Sequence, residues 1–283
     1  MKNVVKWAMV LPLSAALILS GCKKDEEEIV PFVPPPIDNP VEGLVMVGSG
    51  SIDENETDVR VYAEKDLFVG YNKLYVVLLE KGSTNQITSA HVMLKPMMAM
   101  NSGMNHSCPT ENPEDQNPAE GLFVGAAIFI MPSGDMGNWT LNVTVHNHNN
   151  GLEGEVGIPI SVMNPPDTRV FSFKSPVDQK SIFITMIEPS MPAVGMNDFI
   201  VAAHYRADMM NFPPLEDLNI SFEPEMPTMG HGSPNNVNPV HTENGHYQGV
   251  VNFTMDGFWR LNMFIADQND VILDETHYFD VNF

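Results

Sequence analysis

The chain is poor in basic residues, in cysteine and in long apolar runs. It carries 14 Lys and Arg against 36 Asp and Glu, for a formal charge of −22. Nucleic acids and anionic lipid surfaces are recognised through basic patches, so no nucleic-acid partner is expected. The acidic excess instead attracts cations from the surroundings. Only two cysteines occur, Cys22 and Cys108. The apolar stretch Trp7 to Ile18 is shorter than the roughly 20 residues a spanning helix needs. No window of a dozen residues carries a helical period, which excludes helical bundles and α/β designs. Also missing are a Gly-x-Ser-x-Gly elbow, a His-Glu-x-x-His pair, a Cys-x-x-Cys pair and a phosphate-cradling glycine loop. The expectation is that the protein is not an enzyme.

The N-terminus reads as an address rather than as fold. Lys2 and Lys6 precede the apolar stretch, and Leu19-Ser20-Gly21-Cys22 closes it. This arrangement resembles a bacterial lipoprotein signal. The resemblance implies a signal peptide over residues 1–21, cleavage before Cys22 and a lipid on its sulfur. Residues 22–43 then form a linker: the charged run Lys23 to Glu28, followed by a proline-rich spacer from Pro31 to Pro40. The expected protein is held to the membrane through Cys22 without spanning it. It is an outer-membrane lipoprotein of the cell envelope, facing the periplasm or the cell surface. Cys108 is then the one thiol left, so no intramolecular disulfide can form.

What the chain has in excess is methionine, 20 in all. Some of it lies in a block that occurs twice. Met104-Asn105-His106-Ser107-Cys108-Pro109 returns as Met229-Gly230-His231-Gly232-Ser233-Pro234, an offset of 125 positions. Gly70-Tyr71-Asn72 returns at the same offset as Gly195-Met196-Asn197. Gly137-Asn138-Trp139-Thr140-Leu141 returns as Gly257-Phe258-Trp259-Arg260-Leu261, now at 120. A slowly drifting offset means a duplicated domain with small loop insertions. The copies span residues 44–163 and 168–283, separated by Asn164-Pro165-Pro166-Asp167, where two prolines stop any regular element.

Each copy reads as short strands between turns. Lys73 to Leu79, Phe199 to Ala203 and Leu122 to Ile130 are rich in β-branched and aromatic residues. Trp139, Leu141, Val143 and Val145 alternate with polar residues, and Asn149-Asn150-Gly151 is a hairpin turn signal. Trp259, Leu261 and Phe264 repeat the alternation less cleanly. Asp53-Glu54-Asn55-Glu56 lacks the spaced oxygens of a calcium loop and reads as a solvated turn. The fold class is all-β: two tandem immunoglobulin-like β-sandwiches after the signal and linker.

Met163, Met186 and Met263 sit in strand-like surroundings and are expected to fill core gaps. Met97, Met98, Met100 and Met104 lie among Pro96, Asn101 and Gly103, a segment that reads as an exposed loop, and Met226 to His231 is similar. Thioether and imidazole together suit copper, above all Cu(I). In an extended Met-x-His both side chains face one way. The candidate ligands are Met98, Met104, His106 and Met131 in the first copy, and Met226, Met229, His231 and Met255 in the second. The competing reading is a non-metal lipoprotein, structural or interacting, whose adaptable Met loops contact another envelope protein.

The spacing Pro-x-Met, Met-x-His, a strand ending in Met, then Gly-x-Trp-x-Leu resembles the YtkA-like domain. It is carried by Pro96, Met98, Met104, His106, Met131, Gly137, Trp139 and Leu141, and by Pro224, Met226, Met229, His231, Met255, Gly257, Trp259 and Leu261. The resemblance implies an immunoglobulin-like sandwich in the bacterial envelope, with kinship to copper-resistance modules. The first copy departs from the simplest form in its longer loop between Met98 and Met104. Cys108 is replaced by Ser233 in the second copy, so the site does not require it. His146 and His148 share a face at a strand end, but Ala266 and Gln268 replace them. His241 and His246 flank the second block. His91, His204 and His277 read as ordinary polar residues.

Overall fold

Period-two alternation runs through nearly every long segment of the chain, and each becomes a strand. A computed structural model describes residues 41–283. The signal, Cys22 and the spacer as far as Pro40 lie outside the described residues. No helix occurs among those that are described. Gly137–Asn147 shows the rule: Trp139, Leu141, Val143 and Val145 are buried, and the residues between them reach the opposite face.

In the first half, one antiparallel sheet runs Val45–Ile52, Thr57–Ala63, Gly70–Glu80, Leu122–Phe129, Thr110–Glu111, with Gln86–Ile87 also on Gly70–Glu80. The other runs Leu152–Ile160, Gly137–Asn147, Ala90–Met100, Asn105–His106. In the second half, Val170–Lys174, Ser181–Glu188, Gly195–Arg206, His246–Phe253 and Val237–His241 make one sheet. His231–Gly232, Leu218–Met226, Phe258–Asp267 and Ile272–Asp274 make the other, with Tyr278–Asn282 also on Phe258–Asp267. The duplicated landmarks fall on matching strands in matching order. The fold is all-β and immunoglobulin-like.

Each half encloses its own core. The first is built round Trp139, Phe123, Phe129 and Leu74, the second round Trp259, Tyr247, Phe199 and Phe253. A buried Trp removes about 200 Å² from water, a gross gain of about 5 kcal/mol before chain entropy is subtracted. Asn149-Asn150-Gly151 turns as expected, joining Gly137–Asn147 to Leu152–Ile160 with Gly151 at φ 70°. Asp53 to Glu56 is likewise a turn. In the second copy the alternation is cleaner than expected. Met263 and Ile265 continue the inward face of Trp259 and Leu261, and Phe264 lies on the other side.

Two expectations about methionine fail. The segment read as an exposed loop at Pro96 to Met100 is the end of the strand Ala90–Met100, and Met98 is fully buried. Ala90, Val92, Leu94, Pro96 and Met98 form one inward face at period two, which the cluster of methionines and a proline disguises. Pro224 and Met226 repeat this on Leu218–Met226. Met186 and Met263 are core residues, but Met163 is 50% exposed. It is held by its backbone, which accepts from Val69 N at 2.9 Å and donates to Leu67 O at 2.8 Å.

The halves meet across a polar seam. Glu111 accepts from Nε2 of His246 at 2.6 Å and from the Tyr71 hydroxyl at 2.8 Å. Ser107 N donates to Met209 O at 2.9 Å. His246 is thus engaged with Glu111, away from the second Met-x-His block. Burial pushes the Glu111 carboxyl up, but the hydrogen bond and charge of His246, with the Tyr71 bond, hold it below its ordinary value. Burial raises the Tyr71 hydroxyl well above its usual range, and the Glu111 charge adds to this. His204, read as an ordinary polar residue, is buried with Nδ1 unpartnered. Burial lowers its pKa to about 4, against the opposing pull of Glu111.

Acid should therefore loosen the protein. Between pH 6.5 and about 4 the unfolded chain takes up a proton at His204 that the folded chain refuses. Stability then falls as pH falls through this window, by up to about 3 kcal/mol. Glu111 acts in the same direction, since its depressed pKa contributes stability that is lost as pH drops through the carboxylate range. Urea midpoints at pH 7 and pH 4.5 test this. His204→Leu should flatten the difference, and an equal fall in wild type and variant would refute the assignment.

Candidate metal centre

The soft block is a hairpin end. Ala90–Met100 turns through Asn101, Ser102 and Gly103 and returns as Asn105–His106. Gly103 takes φ 84°, and Met100 N donates to Met104 O at 2.9 Å to close the turn. The register sets His106 opposite Met98, and Met98 in turn opposite Trp139 on the next strand. Imidazole, thioether and indole therefore lie in one row across three strands. The close approach at this end depends on Gly137, where a Cβ would stand 2.3 Å from the Ala99 carbonyl oxygen.

Around this row the polar groups are oriented. The His106 ring meets Trp139 edge-on at 5.3 Å between centroids. Its Nδ1 lies 2.8 Å from the Ser107 carbonyl oxygen, which can only accept, so Nδ1 carries the proton. Nε2 therefore presents a lone pair, in a residue only 4% exposed, and it has no partner. Trp139 Nε1 donates to the Met131 carbonyl at 2.9 Å, which ties Met131 to the edge of the indole. Met131 is partly buried against the same core.

The second copy repeats these relations. Met226 is buried and stands opposite His231. The His231 ring meets Trp259 edge-on at 6.0 Å, and its Nδ1 lies 3.0 Å from the Gly232 carbonyl. Trp259 Nε1 donates to the Met255 carbonyl at 3.0 Å. His231 is only half-buried, so this copy is more open than the first.

Of the expected ligands, the structure sets Met98 beside His106 and Met226 beside His231. Met131 and Met255 meet the same tryptophans through their main-chain carbonyls, and their side chains pack against the two cores. Met104 and Met229 are 54% and 59% exposed on the turns, outside the buried rows. Trp139 and Trp259 are not among the expected site residues, although the Gly-x-Trp landmark beside each block is the available signal. Cys108 is buried in the first core, and burial pushes its thiol up, away from the reactive thiolate. His241 packs edge-on against Tyr247 at 5.3 Å. His277 stacks on Phe171 at 4.8 Å and pairs with Asp274. Among the described residues no three His, Cys, Asp or Glu gather as a metal site, so a metal held here would rely on thioether sulfur.

The YtkA-like family matches over residues 177–264, which include the second row from Met226 to Trp259. No curated protein matches the chain. Among solved structures, the adhesin InvE of Yersinia pseudotuberculosis is similar at 12% identity and a TM-score of 0.27, over 83% of this chain and 60% of that one. A DUF4785 family protein of Legionella pneumophila is similar at 11% identity and a TM-score of 0.25, over 80% of this chain and 56% of that one. The chain thus spans less than two thirds of either.

Side-chain burial sorts the methionines by consequence. Met98→Ala should cost about 2 to 5 kcal/mol, the range for opening a core cavity, and Met104→Ala less than about 0.5 kcal/mol. Gly137→Ala should cost more than about 2 kcal/mol, because its new methyl meets backbone rather than a flexible side chain. Chemical denaturation of the three variants checks the order.

Proposed function

We propose that this is a copper-binding protein of the cell envelope, held there by a lipid at Cys22 and acting in storage, delivery or sensing rather than catalysis. Each half takes one Cu(I), the first through Met98, His106 and Met131, the second through Met226, His231 and Met255. Met104 and Met229 serve as exposed thioethers at the two mouths. The observation that carries this reading is the buried, unpartnered Nε2 of His106. A buried acceptor without a partner costs about 1 to 3 kcal/mol, and a soft cation beside Met98 would offset that cost. The Nδ1–carbonyl bond already holds the ring in the tautomer a metal needs. Thioether ligands favour Cu(I) over the oxygen-seeking cations. The YtkA-like match over 177–264 supports an envelope location.

A Cu(I) competition titration on the protein beginning after Cys22 tests the reading. Two equivalents are expected, falling to one in His106→Ala and to one in His231→Ala. Binding no tighter than that of an unrelated acidic protein would overturn it and leave the methionines as contact surface for a protein partner.

A further inference from the structure

Three histidines that the second copy lacks come together once the strands are paired. His91 on Ala90–Met100 stands directly opposite His146 on Gly137–Asn147. Both neighbours of each are buried, so His91 and His146 share the outer face of the sheet. His148 follows two residues on, its ring 5.5 Å from that of His146. On the other flank Glu153 of Leu152–Ile160 stands opposite His146 and is exposed. The sequence separates His91 from the pair by more than fifty positions, and only the register shows the group.

The ring of His148 is also oriented. Its Nδ1 lies 3.0 Å from the Ser89 hydroxyl oxygen, and that hydroxyl donates to Asn117 Oδ1 at 2.6 Å. With the Ser89 proton committed to Asn117, the imidazole must be the donor to Ser89. Nε2 of His148 is then the nitrogen with the free lone pair. A metal-ligating histidine is commonly fixed in this way, through a hydrogen bond at its other nitrogen.

We infer that His91, His146 and His148 form a site for a divalent transition cation, Zn²⁺ or Cu²⁺, on the outer face of the first half, with Glu153 supplying negative charge beside it. Imidazole nitrogen suits these ions, in contrast to the sulfur-rich rows inside the sandwiches. Directly opposed residues on antiparallel strands have Cβ atoms about 5 Å apart, and metal–nitrogen bonds of about 2.0 Å let two such rings share an ion. Among the described residues no three His, Cys, Asp or Glu already converge on one point, so the rings must rotate to close on it. His91 is exposed and free to turn toward the Nε2 that the Ser89 bond orients on His148. The second half has no counterpart. Asn219 and Ala266 occupy the register of His91 and His146, and Gln268 follows.

The site therefore binds once per chain, where the internal rows bind twice. A Zn²⁺ titration of the whole chain in detergent, read by a competing chromophoric chelator, should show one saturable equivalent. His146→Asn and His91→Asn should each weaken it at least tenfold, and Ser89→Ala should weaken it severalfold through loss of orientation. His106→Ala, which removes the internal ligand, should leave it within twofold, so failure of the Cu(I) reading is seen separately. Circular dichroism checks that the exposed substitutions leave the fold intact. Absence of a saturable equivalent, or affinity unchanged within twofold in both His91→Asn and His146→Asn, would overturn the assignment.

Discussion

Everything distinctive about this molecule depends on how closely Ala90–Met100 and Gly137–Asn147 pair at one end. Gly137 has no Cβ to strike the Ala99 carbonyl, so the ladder continues to Met100. That extra length sets Met98 opposite Trp139 and lets the hairpin return His106 over the same row. Were the two strands to diverge earlier, the hairpin would swing away and carry the Met98–His106 pair off the indole of Trp139. The Gly-x-Trp landmark is thus a packing condition: glycine for the approach, tryptophan two residues on for the same face.

The duplication places that condition twice, yet it does not make the halves interchangeable. The seam between them uses side chains found in one copy only: Tyr71 and Glu111 from the first, His204 and His246 from the second. The outer face carries His91, His146 and His148 in the first half, against Asn219, Ala266 and Gln268 in the second. The shared strand order preserves the cores while edges and faces diverge. This is a division between residues that pack the two cores and strand residues that face a seam or the solvent.

Much of the fold is legible in the sequence because the strands are amphipathic. Trp139 to Val145 announces its two faces, and Asn149-Asn150-Gly151 announces its turn. The Met-rich strand ends mislead because Pro96 and adjacent methionines break the visible alternation. Yet Pro96 sits where Ser107 Oγ, not a backbone N–H, meets its carbonyl, at 2.7 Å, so the strand tolerates it near an edge. The Met–His pairing is legible through the repeat, whereas the tryptophans at its side look like landmarks alone. Of the outer histidine group, the His146–His148 pair is legible in the sequence and its junction with His91 is not. Cross-strand register joins residues far apart in sequence, and no single segment encodes it.

The two rows differ most in how wet they are. His106 is buried on the return strand of its hairpin, while His231, in the matching place, is half open to solvent. A cation held there as proposed would leave only through a local opening around His106, which has its own free-energy cost. A cation held as proposed at His231 would be reached by water, or by a competing thiol, without any such opening. On the proposed copper-binding function, one copy is thereby suited to retention and the other to turnover.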